Sequence, residues 1–123
     1  MEVVSLMGKS DYPMHSVTVC GKEWVVLWVP TRAFNKKYGK STMAITHMDE
    51  KRIFLRVKAA SFETIAHELM HAALWEMGLA VTELNPEQLE ELFCECFSKY
   101  GESLSSTSRY LEHQGRLLRA NMK

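Results

Sequence analysis

The spacing of apolar residues changes near Ser61, and this change constrains the fold more than any other feature of the sequence. Before Ser61, apolar and β-branched residues alternate or cluster in short runs, which is typical of strands. After Ser61 they recur every three or four residues, which is typical of helices that cover one side of a core. The sequence therefore predicts an α+β fold with strands first and helices second.

The first half predicts three or four strands in a mostly antiparallel sheet. Val17 and Val19 alternate with polar residues, and a dense apolar run at 23–29 ends at Pro30. Because proline lacks an N–H group, it is a natural end for a buried strand. These two segments are expected to form the first strands of the sheet.

Two further strand-like runs, 43–48 and 52–58, are separated by the turn residues 49–51. Such a short polar interruption between apolar runs predicts a hairpin. The basic stretch before them is expected to form a loop or a short helix around 33–38.

The second half predicts two helices and a tail. Ser61 is a suitable N-cap and Gly78 a suitable C-terminal residue for the first helix. The second helix is expected from Pro86 to about Leu104, and the tail at 105–123 is expected to stay irregular or to add a short helix. The second helix carries one apolar stripe: Leu89, Leu92, Phe93, Cys96, Phe97 and Tyr100.

The length limits the chain to one core. With 123 residues and 14.2 kDa, it can bury roughly two-thirds of its unfolded surface, which is enough for a single domain. We expect one domain over 1–123, with a core at about 15–104.

Charge and cysteine content exclude several functional classes. Fifteen basic and fifteen acidic residues cancel, so a broadly basic nucleic-acid binder is not expected. Three cysteines, Cys20, Cys94 and Cys96, are an odd number without a disulfide pattern, which indicates a reducing compartment such as the cytoplasm. No apolar segment reaches the ~18 residues of a membrane span, so no membrane partner is expected.

One motif within the first predicted helix indicates a metal site. His67, Glu68 and His71 form the pattern His-Glu-x-x-His, and random order would give it in about 2% of such chains. Residues four apart lie on one helix face, so both imidazoles can bind one Zn²⁺ ion. Glu68 projects at an adjacent angle, where it can accept a proton from zinc-bound water. The alternative is that His67 and His71 are ordinary surface or core histidines and that Glu68 is a solvated glutamate.

This motif resembles that of the zincin metallopeptidases. The surrounding run at 63–79, ETIAHELMHAALWEMGL, is similar to the active-site helix of small bacterial and bacteriophage zincins of the ImmA/IrrE-like and SprT-like kind. The resemblance covers roughly 43–104, and only the five-residue motif is highly specific. Leu74 and Met77 stand where metzincins have Gly and His, which excludes that subclass. The resemblance implies a minimal zincin-like fold, with the sheet packed on the active-site helix and a second, ligand-bearing helix.

The resemblance also implies a third zinc ligand from the second helix, as in gluzincins. Glu91 lies twenty residues after His71, a spacing similar to the thermolysin-like arrangement, and it is the predicted ligand. Glu95 is the substitute one turn later, and Glu87 and Glu90 are further candidates. Because Glu91 and Glu95 point away from the apolar stripe, this prediction requires the helix to be covered on two sides. Small residues are available for that second contact: Cys94, Ser98 and Gly101.

The implied activity is zinc-dependent hydrolysis of a peptide bond in a protein or peptide, with His67, His71 and Glu91 as ligands and Glu68 as general base. The substrate is expected to pair with an edge strand beside the active helix, predicted as the run at 52–58. The alternative is a non-catalytic zinc-binding regulatory or interaction protein on the same fold, which fits a phage-encoded chain acting in the host cytoplasm.

A third hypothesis is contact with DNA, as in SprT-like proteases, through the basic segment at 32–40 and the basic tail. The neutral net charge and the absence of a Cys-x-x-Cys pair in the sequence argue against it.

Weaker site candidates lie elsewhere in the sequence. His113 is a conceivable third ligand, although a histidine near a terminus is more often exposed. His47 belongs to a strand-like run and is more often an ordinary strand residue. Tyr100 and Tyr110 are conceivable donors to an oxyanion, and the stripe position of Tyr100 favours the core.

Overall fold

A computed structural model of the chain describes residues 12–59, 61–78 and 83–121. Over these residues the fold is α+β, with a four-stranded mixed sheet and three α-helices. A 3₁₀ turn at Val57–Ala59 joins the sheet to the second helix. The elements are β1 (Met14–Val19), β2 (Lys22–Val29), α1 (Thr31–Tyr38), β3 (Ala44–His47), β4 (Arg52–Arg56), α2 (Phe62–Glu76) and α3 (Pro86–Asn121).

The strands of the described sheet lie in the order β1-β2-β4-β3. β2 pairs antiparallel with β1 and parallel with β4, and β3 and β4 form the predicted antiparallel hairpin. The prediction that the run at 52–58 supplies the edge strand is wrong, because β4 lies between β2 and β3. The reason is burial: Ile53, Phe54 and Leu55 are covered on both faces of the sheet, whereas β3 is only half-buried.

Each face of the sheet carries its own core. Alternate residues of β2 point to opposite faces. Trp24, Val26 and Trp28 pack with α2 and α3, whereas Leu27 and Val29 pack with Phe34 of α1. This alternation means that α2 covers one face and α1 the other.

Both ends of α2 agree with the prediction. The Ser61 hydroxyl accepts a hydrogen bond from the Thr64 backbone N–H at 3.2 Å, and Gly78 follows the helix with a φ of 79°. Near the C-terminal end, Glu76 accepts hydrogen bonds from Trp24 at 2.8 Å and Lys51 at 2.6 Å. Burial alone would raise the pKa of Glu76, but these two donors outweigh it and hold the pKa below its usual value. The contacts tie α2 to β2 and to the hairpin turn.

α3 is one continuous helix of 36 residues, so the predicted break after Leu104 is wrong. The serine-rich stretch at 105–108 stays helical because this part of the helix packs on the core. Leu104 and Leu111 are buried, and the buried Ser108 hydroxyl donates to the Leu104 carbonyl at 2.7 Å. Tertiary burial here outweighs the weak helix propensity of serine.

Basic residues in the second half of α3 make intramolecular contacts. The Arg109 guanidinium lies over the Phe62 ring, with 5.4 Å from Cζ to the ring centroid, and Arg119 donates to the Lys58 carbonyl at 3.0 Å. Arg116 pairs with Glu112 at 3.1 Å. All three arginines stay exposed while making these contacts, and Lys123 lies outside the described residues.

Among the described helices, none combines the length and apolar character needed to cross a bilayer. The three cysteines are free thiols. Burial raises the pKa of the Cys20 thiol to about 11, and burial also raises the pKa of Cys96.

Candidate metal centre

The two histidines of the motif converge on one point at the exposed side of α2. The Nε2 atoms of His67 and His71 lie 3.1 Å apart, and their ring centroids are 4.7 Å apart at 84°. Both rings are exposed, while the opposite side of the helix buries Ile65, Leu69 and Ala72 in the core. The amphipathic pattern of α2 therefore directs both imidazoles to the surface.

The spacing of this pair fits a zinc ion. Two nitrogens bound to one tetrahedral zinc, each at about 2.0–2.1 Å, are separated by about 3.3 Å. The observed 3.1 Å between His67 and His71 differs from that value by a few tenths of an ångström. The same spacing also permits a hydrogen bond from one ring to the other.

Glu68 is held at the edge of the sheet. The Thr46 hydroxyl of β3 donates a hydrogen bond to Oε1 of Glu68. Because β3 is the edge strand of the described sheet, this contact ties the carboxylate to that edge strand, and Glu68 lines a groove together with His67. Thr46 is a site residue that the sequence analysis missed, because only the strand order brings it to α2.

A buried arginine fixes the chain just before β3. Arg56 is 6% exposed, and its guanidinium donates to the carbonyls of Gly39, Lys40 and Thr42 and to the side chain of Asn35. These hydrogen bonds satisfy a charge that would otherwise be costly to bury. They position the segment that leads into the edge strand and so, indirectly, the Thr46 contact.

Two grooves flank the histidine pair. The first, of about 350 Å³, is lined by Met43, Ala44, Glu63 and Thr64 together with His67 and Glu68. The second, of about 600 Å³, touches His71 and Glu90, and its remaining lining is apolar: Met48, Leu74, Pro86, Leu89 and Phe93. The histidine pair therefore lies between the first groove, which has polar and apolar lining residues, and the second groove, which is called the apolar cavity below.

Glu91, the predicted third ligand, is exposed on α3 and does not line the apolar cavity. Its neighbour Glu90 does line it, together with His71. Within residues 12–59, 61–78 and 83–121, no three His, Cys, Asp or Glu side chains form a group that could hold a metal ion. The structure thus brings two of the three predicted ligands together.

The predicted second covered face of α3 is not observed. Cys94, Ser98 and Glu95 are exposed, and only Gly101 is buried. The physical reason is that one apolar stripe directs α3 onto the core, which leaves the opposite side in solvent. The sequence analysis missed that Glu90 lies nearer to the apolar stripe than Glu91 does. Glu90 directly follows Leu89 of the stripe, whereas Glu91 is a further 100° around the helix.

The weaker candidates lie away from the centre. His47 points to the opposite face of the sheet from Thr46, with its ring 5.0 Å from that of Phe54, and among the described residues its buried Nε2 has no hydrogen-bond partner. His113 is exposed, and Tyr100 packs against the larger core. Tyr110 is 48% exposed, beside His15.

Comparisons of the chain with protein-family models, with curated proteins and with solved structures gave no match. The case for a function therefore comes from the motif and the geometry around it.

Proposed function

We propose that this chain hydrolyses a peptide bond in a protein or peptide with the help of a zinc ion. The observation that carries the proposal is the 3.1 Å separation of His67 Nε2 and His71 Nε2, beside a carboxylate held at an open strand edge. A purely structural zinc site needs neither an exposed face nor a neighbouring base. The proposal therefore rests on the whole constellation rather than on the histidines alone.

In this proposal His67 and His71 bind the ion through their Nε2 atoms. A zinc ion in such a site lowers the pKa of water and polarises a carbonyl group. The third ligand is proposed to come from the first turns of α3. Glu91 is the residue predicted by spacing, and Glu90 is the one supported by the cavity that it shares with His71.

Glu68 is the proposed general base. Its carboxylate accepts the proton of the attacking water and returns it to the leaving amine. The hydrogen bond from Thr46 restricts the carboxylate to one orientation, which reduces the reorganisation needed during proton transfer.

The substrate is proposed to lie along β3 rather than along the run at 52–58. β3 is the edge strand next to Glu68, and within residues 12–59, 61–78 and 83–121 no strand pairs with its outer side, so an extended chain can add there. This arrangement would bring a peptide carbonyl past the histidine pair.

Replacing Glu68 by Gln tests the proposal. With zinc present, and with fluorescent casein and randomised decapeptides as probes, we expect hydrolysis to fall about 10²–10⁴-fold. The matched control is Glu102→Gln, an exposed glutamate of α3, which should leave the rate unchanged. Equal hydrolysis by wild type and Glu68→Gln would remove Glu68 from this role. Stoichiometric zinc without hydrolysis by the wild type would favour the regulatory alternative.

Zinc affinity tests the third ligand. Loss of a true ligand should weaken binding by more than the about 10–100-fold that outer partners contribute. Glu90→Gln, Glu91→Gln and Glu95→Gln form a matched series of exposed glutamates in the first turns of α3. A large loss in Glu90→Gln alone would replace the prediction of Glu91, and a large loss in Glu91→Gln alone would support it. If all three variants bind zinc as tightly as the wild type, none of these glutamates is a ligand.

A further inference from the structure

We propose that the apolar cavity beside His71 binds one large apolar side chain of the substrate, next to the bond that is cleaved. The inference rests on the proposed function and adds the class of residue that the site selects. The cavity is lined by both His71 and Met48, the residue that follows β3.

The two grooves lie at opposite ends of β3. Met43 and Ala44, at its start, line the groove beside His67, whereas Met48, after its end, lines the cavity beside His71. An extended chain advances about 3.3 Å per residue. A peptide paired with β3 therefore passes from one groove to the other within about four residues, and the histidine pair lies between them.

The chemistry of the lining defines the occupant. Leu89 is 53% and Phe93 49% exposed, although both continue the stripe that α3 buries further along. Together with Leu74 and Pro86 they offer an apolar wall that would cover a side chain such as Leu, Met or Phe. A charged side chain there would lose its hydration without gaining a partner, except beside Glu90.

Burial of such a side chain should favour apolar over charged residues by about 10–100-fold in kcat/KM. A randomised decapeptide mixture, cleaved by the zinc-loaded wild type and sequenced by mass spectrometry, should show Leu, Met or Phe enriched over Asp and Glu on one side of the cleaved bond. Cleavage without such a preference would overturn the proposal.

A matched pair of variants locates the selectivity. Phe93→Ala should lower kcat/KM for a selected apolar peptide about 10-fold, with little change for the same peptide carrying Ala at that position. Phe97→Ala removes an equally large exposed ring, one turn further along α3, that does not line the cavity, and it should have no such effect. Equal effects of the two variants would contradict the proposal. A dimeric wild type that becomes monomeric in Phe93→Ala would also contradict it, because the cavity would then be a contact between two copies of the chain.

Binding of the same peptides to Glu68→Gln protein separates this inference from the proposed function. If the wild type cleaves nothing, tighter binding of the apolar peptide than of the Asp peptide, lost in Phe93→Ala, would still support the cavity as a side-chain site. If the wild type cleaves peptides but binding is insensitive to Phe93, the cavity assignment fails and the hydrolase proposal stands. If the wild type cleaves no peptide and the Glu68→Gln protein binds none, both the hydrolase proposal and the cavity assignment fail.

Discussion

The two halves of α3 carry the same apolar stripe but differ in what covers it. In the first half, Leu89, Phe93 and Phe97 are about half exposed or more, whereas Leu104 and Leu111 in the second half are buried. Sequence pattern alone does not distinguish these halves, because both show helical spacing. The first half reaches the core through Cys96 but leaves Leu89 and Phe93 as an apolar wall beside the candidate metal centre. The second half is buried through Leu104 and Leu111, with Leu117 on its exposed side.

The second half is also anchored by polar contacts. Glu112 accepts a hydrogen bond from the backbone N–H of Phe62, at the start of α2, and Arg119 reaches the Lys58 carbonyl. These contacts join the end of α3 to the segment between β4 and α2. The comparison predicts that substitutions in the second half mainly change stability, while those in the first half mainly change function.

The largest expected difference is between two apolar truncations. Leu111→Ala removes a side chain that is 0% exposed and should lower the free energy of unfolding by about 2–5 kcal/mol. Phe93→Ala removes a ring that is 49% exposed and should cost less than about 1 kcal/mol. Urea unfolding monitored by circular dichroism measures both. Comparable losses would show that the first half of α3 is packed as tightly as the second.

A smaller effect is expected at the polar anchor. Glu112→Gln removes a carboxylate that accepts from Phe62 N–H at 3.2 Å and pairs with Arg116 at 3.1 Å, at the positive end of α2. We expect a loss of about 1–2 kcal/mol in the free energy of unfolding.

The control for the anchor is Glu95→Gln, in the first half. Glu95 is 50% exposed and lies 3.6 Å from Lys99, so its loss should cost under about 0.5 kcal/mol. A loss in Glu95→Gln that matches the loss in Glu112→Gln would mean that the anchor adds nothing specific.

A small stabilising effect is expected where the two halves meet. A Cβ at Gly101 would lie 3.1 Å from Cδ1 of Phe97, a ring that is 63% exposed and free to turn toward solvent. Gly101→Ala should therefore keep most of the helix-propensity gain and raise the free energy of unfolding by about 0.5–1 kcal/mol, which is measured as a higher melting temperature. A lower melting temperature would show that Phe97 is held in place.

Local features of the fold were predictable from the sequence. The Ser61 cap, the hairpin at 49–51 and the convergence of His67 and His71 each depend on residues within a few positions of one another. Short-range geometry is the same wherever such a segment occurs, so these predictions needed no knowledge of the rest of the chain.

Features set by distant contacts were not predictable. The parallel pairing of β2 with β4 makes β3 the edge strand, and nothing in the local pattern of either run specifies this order. The continuity of α3 through its serines follows from burial of Leu104 and Leu111. The choice between Glu90 and Glu91 depends on which side of α3 faces His71, a rotation of 100° that spacing along the sequence does not fix.

Zinc binding tests the central claim most directly, because every proposed role depends on the ion held by His67 and His71. Equilibrium dialysis with elemental analysis should find one zinc per wild-type chain, at least about 100-fold weaker binding in the His67→Ala, His71→Ala double variant, and no change in His113→Ala, an exposed histidine of α3. A wild type that binds no zinc, or a double variant that binds it equally well, would contradict the account.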